Sequence, residues 1–145
     1  VVTRRQRQMC IRDRFIHDKG LMKDFRQITF ETLFEEGLTS LKEKDFNISS
    51  LSENQNLRAN QLFNNTKINS ERIENSIRTY SDNWSYERIG KVELITLTLG
   101  ISELIMDLSP TKVIISEWVK LADKHSSSQS AKFVNGILDK LSQEI

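Results

Sequence analysis

The chain is poor in the residues that punctuate or staple a fold: its 145 residues include one proline, five glycines and one cysteine. A lone Cys10 excludes an internal disulfide framework and fits a reducing, cytoplasmic setting. No apolar run reaches the roughly 18 residues of a membrane-crossing helix, and the basic start is not followed by the apolar segment of a secretory signal. Gly20, Gly37, Gly90, Gly100 and Gly136 stand singly, so no G-x-G-x-x-G or phosphate-binding loop can be built from them. His17 and His125 have no neighbouring cysteine and form no H-E-x-x-H pair, which argues against zinc. No G-x-S-x-G elbow holds a serine. His125 near a helix end could move a proton, but a cation there also complements the helix dipole. The expectation is a protein without catalytic or metal-binding residues and without a cofactor.

What is present is one domain's worth of patterned chain. Hydrophobic residues make up 37% and charged residues 28%, enough for a core and too ordered for disorder throughout. The net charge is +1, but residues 1–26 carry eight basic and three acidic side chains, leaving the remainder at −4. A basic arm on a mildly acidic body is one form a phosphate-binding tail takes, and equally the form of a solvated terminus. Within it, MCIRDR (residues 9–14) resembles a translated transposon adaptor of sequencing libraries. Residues before about Phe15 are therefore expected to be an assembly artefact. The organisation expected is a basic segment over residues 1–20 and a helical domain over residues 21–145.

Apolar residues at steps of three and four predict a helix over residues 21–36 (Leu21, Phe25, Ile28, Leu33, Phe34), stopped by Gly37. A short helix near residues 40–45 and a Ser/Asn-rich loop follow. Residues 57–82 form a second long helical stretch with Leu62, Phe63, Thr66, Ile73, Ile77 and Tyr80 on one stripe, and the asparagines favour a break between residues 66 and 70. Ser85 is the expected N-cap of the next element. There, Ile95, Leu97, Leu99 and Ile101 alternate like a strand, yet the apolar pattern runs over residues 92–108. That length selects a central buried helix. Pro110 opens a further helix with Val113, Ile114, Trp118, Leu121 and Ala122 inward. A serine turn (HSSSQS) caps the last one, in which Phe133, Val134, Ile137, Leu138 and Leu141 recur at helical spacing.

Three stretches of the C-terminal half carry a family resemblance: NWSYERIGKVELITLTLGISEL, SPTKVIISEWVKLADKHS and SAKFVNGILDKL. With FRQITFETLFEE upstream, they resemble the NusB family of transcription antitermination factors, in one continuous order over residues 21–145. The run FVNG-hydrophobic-LD is the most specific element. The resemblance implies an all-α, NusB-like fold of two small helical bundles packed into one domain. It further implies binding of boxA RNA together with NusE, a small-subunit ribosomal protein, within the RNA polymerase antitermination complex that reads through terminators in ribosomal RNA operons. No membrane and no metal or cofactor is implied, and a homodimer is left open.

Carried over by position, the family's basic RNA contacts fall on Lys19, Lys23 and Arg26, with Lys132, Phe133 and Asn135 in the last motif. Gln129 and Ser130 are candidates for the protein-partner surface. Beside these stand plainer readings: Phe133 shares a stripe with Ile137 and suits the core, Asn135 can bond to backbone, and Gly136 suits a close approach of two helices. The chain also departs from the family's pattern. Leu94 and Thr98 stand where basic residues are usual, Ser102 where Tyr is usual, Ser116 for Asn, and Trp118 for a small residue. Two other readings remain: a NusB-like interaction or dimerisation module with weak RNA binding, and the RNA-binding domain of a ribosomal RNA cytosine methyltransferase, whose chain would continue past Ile145.

Overall fold

A computed structural model describes residues 24–38, 45–81 and 85–144. Six α-helices run through these residues: α1 (Phe25–Glu36), α2 (Glu53–Ile68), α3 (Ser70–Tyr80), α4 (Lys91–Met106), α5 (Thr111–His125) and α6 (Ser128–Ser142). A 3-10 turn at Tyr86–Arg88 leads into α4.

Each boundary has a local cause. Asp24 caps α1 by accepting from the Gln27 amide, and Gly37 ends it with a φ of 85°, a left-handed value that a side chain would strain. Ser52 caps α2 through the Gln55 amide. The break expected between residues 66 and 70 falls at Asn69, whose side-chain amide donates to the Asn65 backbone and side-chain oxygens at 3.0 and 2.9 Å. Asn69 is thus the last cap of α2 and the first of α3. The Ser/Asn-rich loop is pinned by side chains that replace ladder partners. Asn60 accepts from the Phe46 amide at 2.6 Å, and Asn56 accepts from the Ile48 amide at 2.9 Å. The short helix expected over residues 40–45 lies outside the described residues except at Asp45.

Length decided correctly for α4. Ten consecutive residues from Ile95 to Leu104 are buried, because α4 packs against all five other helices. It is the shared wall of the two bundles: α5 and α6 pack on one another and on α4, while α1 and α2 pair with each other and also lie on α4. Ser85, however, does not cap this helix. It opens the 3-10 turn without a side-chain bond, and Gly90 takes the N-cap position of α4.

Two further expectations are corrected. Val113 is 44% exposed and lies outside the core. Gly136 has nothing within 4 Å of where a Cβ would sit, so it is no close approach. That role belongs to Gly100, whose Cβ would lie 3.1 and 3.2 Å from the Leu138 methyls and 3.4 Å from Trp118 Cδ1. Small Gly100 and large Trp118 are complementary: the ring occupies space beside α4 that a side chain at position 100 would crowd.

The tightest polar arrangement inside the core joins α1, α4 and α5. Arg26 donates from Nε and Nη2 to the two carboxylate oxygens of Glu103 at 2.8 and 2.6 Å, and Trp118 Nε1 donates to Glu103 Oε1 at 2.9 Å. Glu103 is fully buried and Arg26 nearly so. Burial works against the Arg26 charge, and the hydrogen bond and field of Glu103 outweigh it, so the guanidinium is held above its ordinary pKa.

Replacing Glu103 by Gln strands a buried cation and is expected to cost about 3–5 kcal/mol. Urea unfolding measures it, and the Arg26→Met/Glu103→Leu pair is expected to recover part of that loss. Gly136→Ala is expected to raise stability by roughly 0.5–1 kcal/mol, since helix propensity improves and nothing is crowded. A decrease would show that position 136 is packed after all.

Candidate nucleic-acid interface

The motif carried by the last helix is set by the turn before it. Ser127 accepts from the Ser130 amide and caps α6. The Ser126 hydroxyl donates to Glu93 Oε1 at 3.0 Å, and the Ser130 hydroxyl donates to the same oxygen. Glu93 lies in the first turn of α4, and a Cβ at Gly90 would collide with its carboxylate. Glycine at 90 therefore lets the carboxylate fold over the helix start while it anchors the serine turn.

These two helix starts enclose a cleft of about 310 Å³ lined by Arg88, Ile89, Gly90 and Glu93, from the 3-10 turn into α4, and by Ser127, Gln129, Ser130 and Phe133 at the start of α6. The sequence-derived candidates divide around it. Phe133 is half-buried in the cleft wall and not sealed in the core, while Lys132 and Asn135 are exposed on α6. Gln129 is exposed, whereas Ser130 is buried and bonded to Glu93. Lys19 and Lys23 lie outside the described residues.

Arg26 is corrected. Its guanidinium is bound bidentately by buried Glu103, so it is a core residue and has no face left for a phosphate. Two of the four other described arginines are also engaged. Arg58 donates to the Ser109 hydroxyl at 2.6 Å and lies 4.4 Å from the Phe25 ring centroid. Arg78 pairs with Glu87 at 3.3 Å and covers the Tyr86 ring at 4.3 Å. Burial, with Glu74 nearby, raises the Tyr86 hydroxyl pKa against the lowering field of Arg78. By contrast, Arg72, Arg88 and Lys132 form no ion pair with the described residues.

His125 is neither a surface proton carrier nor a solvated dipole partner. It is buried and stacked on Phe30 with centroids 4.8 Å apart. Of the departures from the family's pattern, Leu94, Thr98, Ser102 and Trp118 are built into the packed interior, while Ser116 is exposed and nothing in the structure explains it. Thr98 is buried and Leu94 half-buried against the core, and Ser102 accepts from the Asn65 amide at 2.9 Å. Sequence reasoning missed Arg88 and Glu93 as cleft residues. The spacing of Gly90 and Glu93, an N-cap followed three residues later by a glutamate, was the available sign for the second; Arg88 offers no comparable sign.

No described residues cluster as three His/Cys/Asp/Glu able to hold a metal, and no described helix is long and apolar enough to cross a membrane. Among the described residues the structure is thus an all-α helical domain in which a small polar cleft brings together an arginine, a carboxylate and an aromatic ring. Comparison with known proteins then gives the family. The NusB family model matches residues 21–143, and the chain belongs to the NusB family.

Transcription antitermination protein NusB of Alkaliphilus oremlandii is 35% identical over 125 residues, covering 79% of this chain and 88% of that protein. The protein of the same name from Fervidobacterium nodosum is 32% identical over 123 residues, 84% and 81% of the two chains. That of Natranaerobius thermophilus is 40% identical over 81 residues, spanning 55% of this chain and 58% of the relative. Among solved structures, NusB of T. maritima superposes with a TM-score of 0.75 at 26% identity, covering 83% of this chain and 89% of that one. A chain from a structure described as a plectonemic RNA supercoil superposes at 0.68 with 25% identity, covering 83% and 92%.

Replacing Ser127 by Ala removes the α6 cap and is expected to cost about 1 kcal/mol. Thermal unfolding measures it, and an unchanged midpoint would show that the Glu93–serine network holds the turn alone.

Proposed function

We propose that this chain performs its family's task, transcription antitermination, by binding boxA RNA together with the ribosomal protein NusE in the RNA polymerase antitermination complex. The setting is the cytoplasm, where nascent transcript and polymerase meet. The observation that carries the reading is family membership over residues 21–143, with the FVNG motif lying on α6. There it offers Lys132 and Asn135 to solvent and leaves Phe133 at an open cleft. A lysine neutralises phosphate charge, and an aromatic ring at a cleft wall is the kind of side chain that single-stranded bases meet. Lys19 and Lys23 add phosphate contacts from the basic segment. Gln129 meets the protein partner, and Ser130, through Glu93, holds the turn on which Gln129 stands.

The test is a salt-dependent titration with boxA RNA and a scrambled control, with and without NusE. Preference for boxA that strengthens with NusE and falls with salt supports the reading. Lys132→Ala is expected to weaken binding several-fold on all sequences and to lower the salt slope by about one phosphate. Equal binding of boxA and scrambled RNA with NusE present would overturn it.

A further inference from the structure

α2 buries one side, with Leu62, Phe63 and Thr66 in the core, and turns the opposite side to solvent. On that outer side Leu57, Gln61, Asn64 and Ile68 follow at steps of four, three and four, all exposed. Leu57 is 55% exposed and Ile68 81%, so two of the four large exposed hydrophobics among the described residues stand on one stripe. Scattered singly such residues are ordinary, but at this spacing they form a helical seam. The stripe extends by one further step of four at each end. Glu53 is the first residue of α2, and Arg72 lies in α3 just beyond the break. The helical course is nearly kept across that break: the Asn69 amide donates to Asn65 O at 3.0 Å and the Ile73 amide to Asn69 O at 2.9 Å. Glu53 and Arg72 are both exposed, and neither forms an ion pair with the described residues.

From Glu53 to Arg72 the stripe therefore runs acid, apolar, amide, amide, apolar, base over about 30 Å of helix. Reversed, it keeps its spacing and its chemistry, with acid and base exchanged. That is the symmetry which pairing with an antiparallel copy of the same helix demands. A two-fold axis between Gln61 and Asn64 sets Leu57 on the partner's Ile68, Gln61 on the partner's Asn64 and Glu53 on the partner's Arg72, each contact occurring twice. An unrelated partner would require no such palindrome. Beside Ile68 and Arg72 the outer side of α3 forms an open groove of about 600 Å³, which leaves room for the start of the partner's helix. We infer that the outer face of α2 is a self-association surface, through which two copies of this chain pair as antiparallel helices. The surface shares no residue with the cleft or with the motif on α6, so it stands independently of RNA binding. With two large apolar side chains per copy the interface is small, and the dimer is a weak, exchanging one with a dissociation constant in the micromolar range.

The experiment is sedimentation equilibrium of the full chain at low salt, with circular dichroism to confirm that each variant is folded. The weight-average mass of the wild type is expected to rise from one chain toward two as concentration increases to about 1 mM. Leu57→Glu and Ile68→Glu each put a charge into the seam and are expected to weaken association about 10-fold or more, with the fold intact because both positions are exposed. Arg72→Glu is expected to weaken it about 3-fold, and adding Glu53→Arg to that variant is expected to restore it. A wild type that stays at the mass of one chain at every concentration overturns the proposal. A dimer that Leu57→Glu and Ile68→Glu leave untouched uses another face and overturns it too. If the double variant recovers nothing that Arg72→Glu loses, the antiparallel register is wrong.

Discussion

The Arg26–Glu103 pair is the constraint around which the helices are arranged. A carboxylate with no solvent exposure is tolerable only if its oxygens are filled, and Glu103 receives three donors from two other helices: two from Arg26 and one from Trp118. That requirement fixes α1 and α5 against α4 in register as well as position, because a bidentate guanidinium accepts little rotation or sliding. It also explains why Trp118 suits a site where a small side chain is usual in the family. The indole supplies the third donor, and Gly100 leaves room for its ring. Charge in this protein therefore divides into an inner set that builds the frame and an outer, solvent-facing set.

The outer set is organised from the same frame. α4 carries Glu103 into the core near its end, and near its start it carries Glu93 to the serine turn that begins α6. One helix thus sets both the packing centre and the mouth of the cleft. A motif helix whose first turn is held by a cap and a carboxylate presents Lys132 and Phe133 with little freedom. A binding surface made of few contacts needs that rigidity.

Periodicity made most helices legible. The stripes of α1, α4 and α6, the stop at Gly37, the asparagine break and the serine cap all express local rules that neighbouring residues carry. The alternation in α4 was ambiguous because a helix buried on every side loses its stripe, and length alone resolved it. What stayed hidden was pairing at a distance. Arg26 and Glu103 are 77 positions apart, and nothing in either's neighbourhood marks one as the other's partner. Arg26 therefore reads as one more cation of a basic arm. Gly136 and Gly100 look alike in sequence, and only the helix crossing tells which is crowded. The cleft was half legible: the family motif pointed to Phe133 in its wall and to Lys132 and Asn135 beside it on α6, while Arg88 on the other wall comes from a short turn with no periodicity to read.

Because α4 belongs to both bundles, the two cannot melt one after the other. Separating either from α4 exposes part of its ten-residue buried run and uncovers the Glu103 carboxylate, so partial opening carries nearly the full cost of losing the core. The molecule consequently behaves as one cooperative unit despite its two-bundle appearance. Its central amides are expected to exchange with solvent through global unfolding, and local opening is left to the turns between helices.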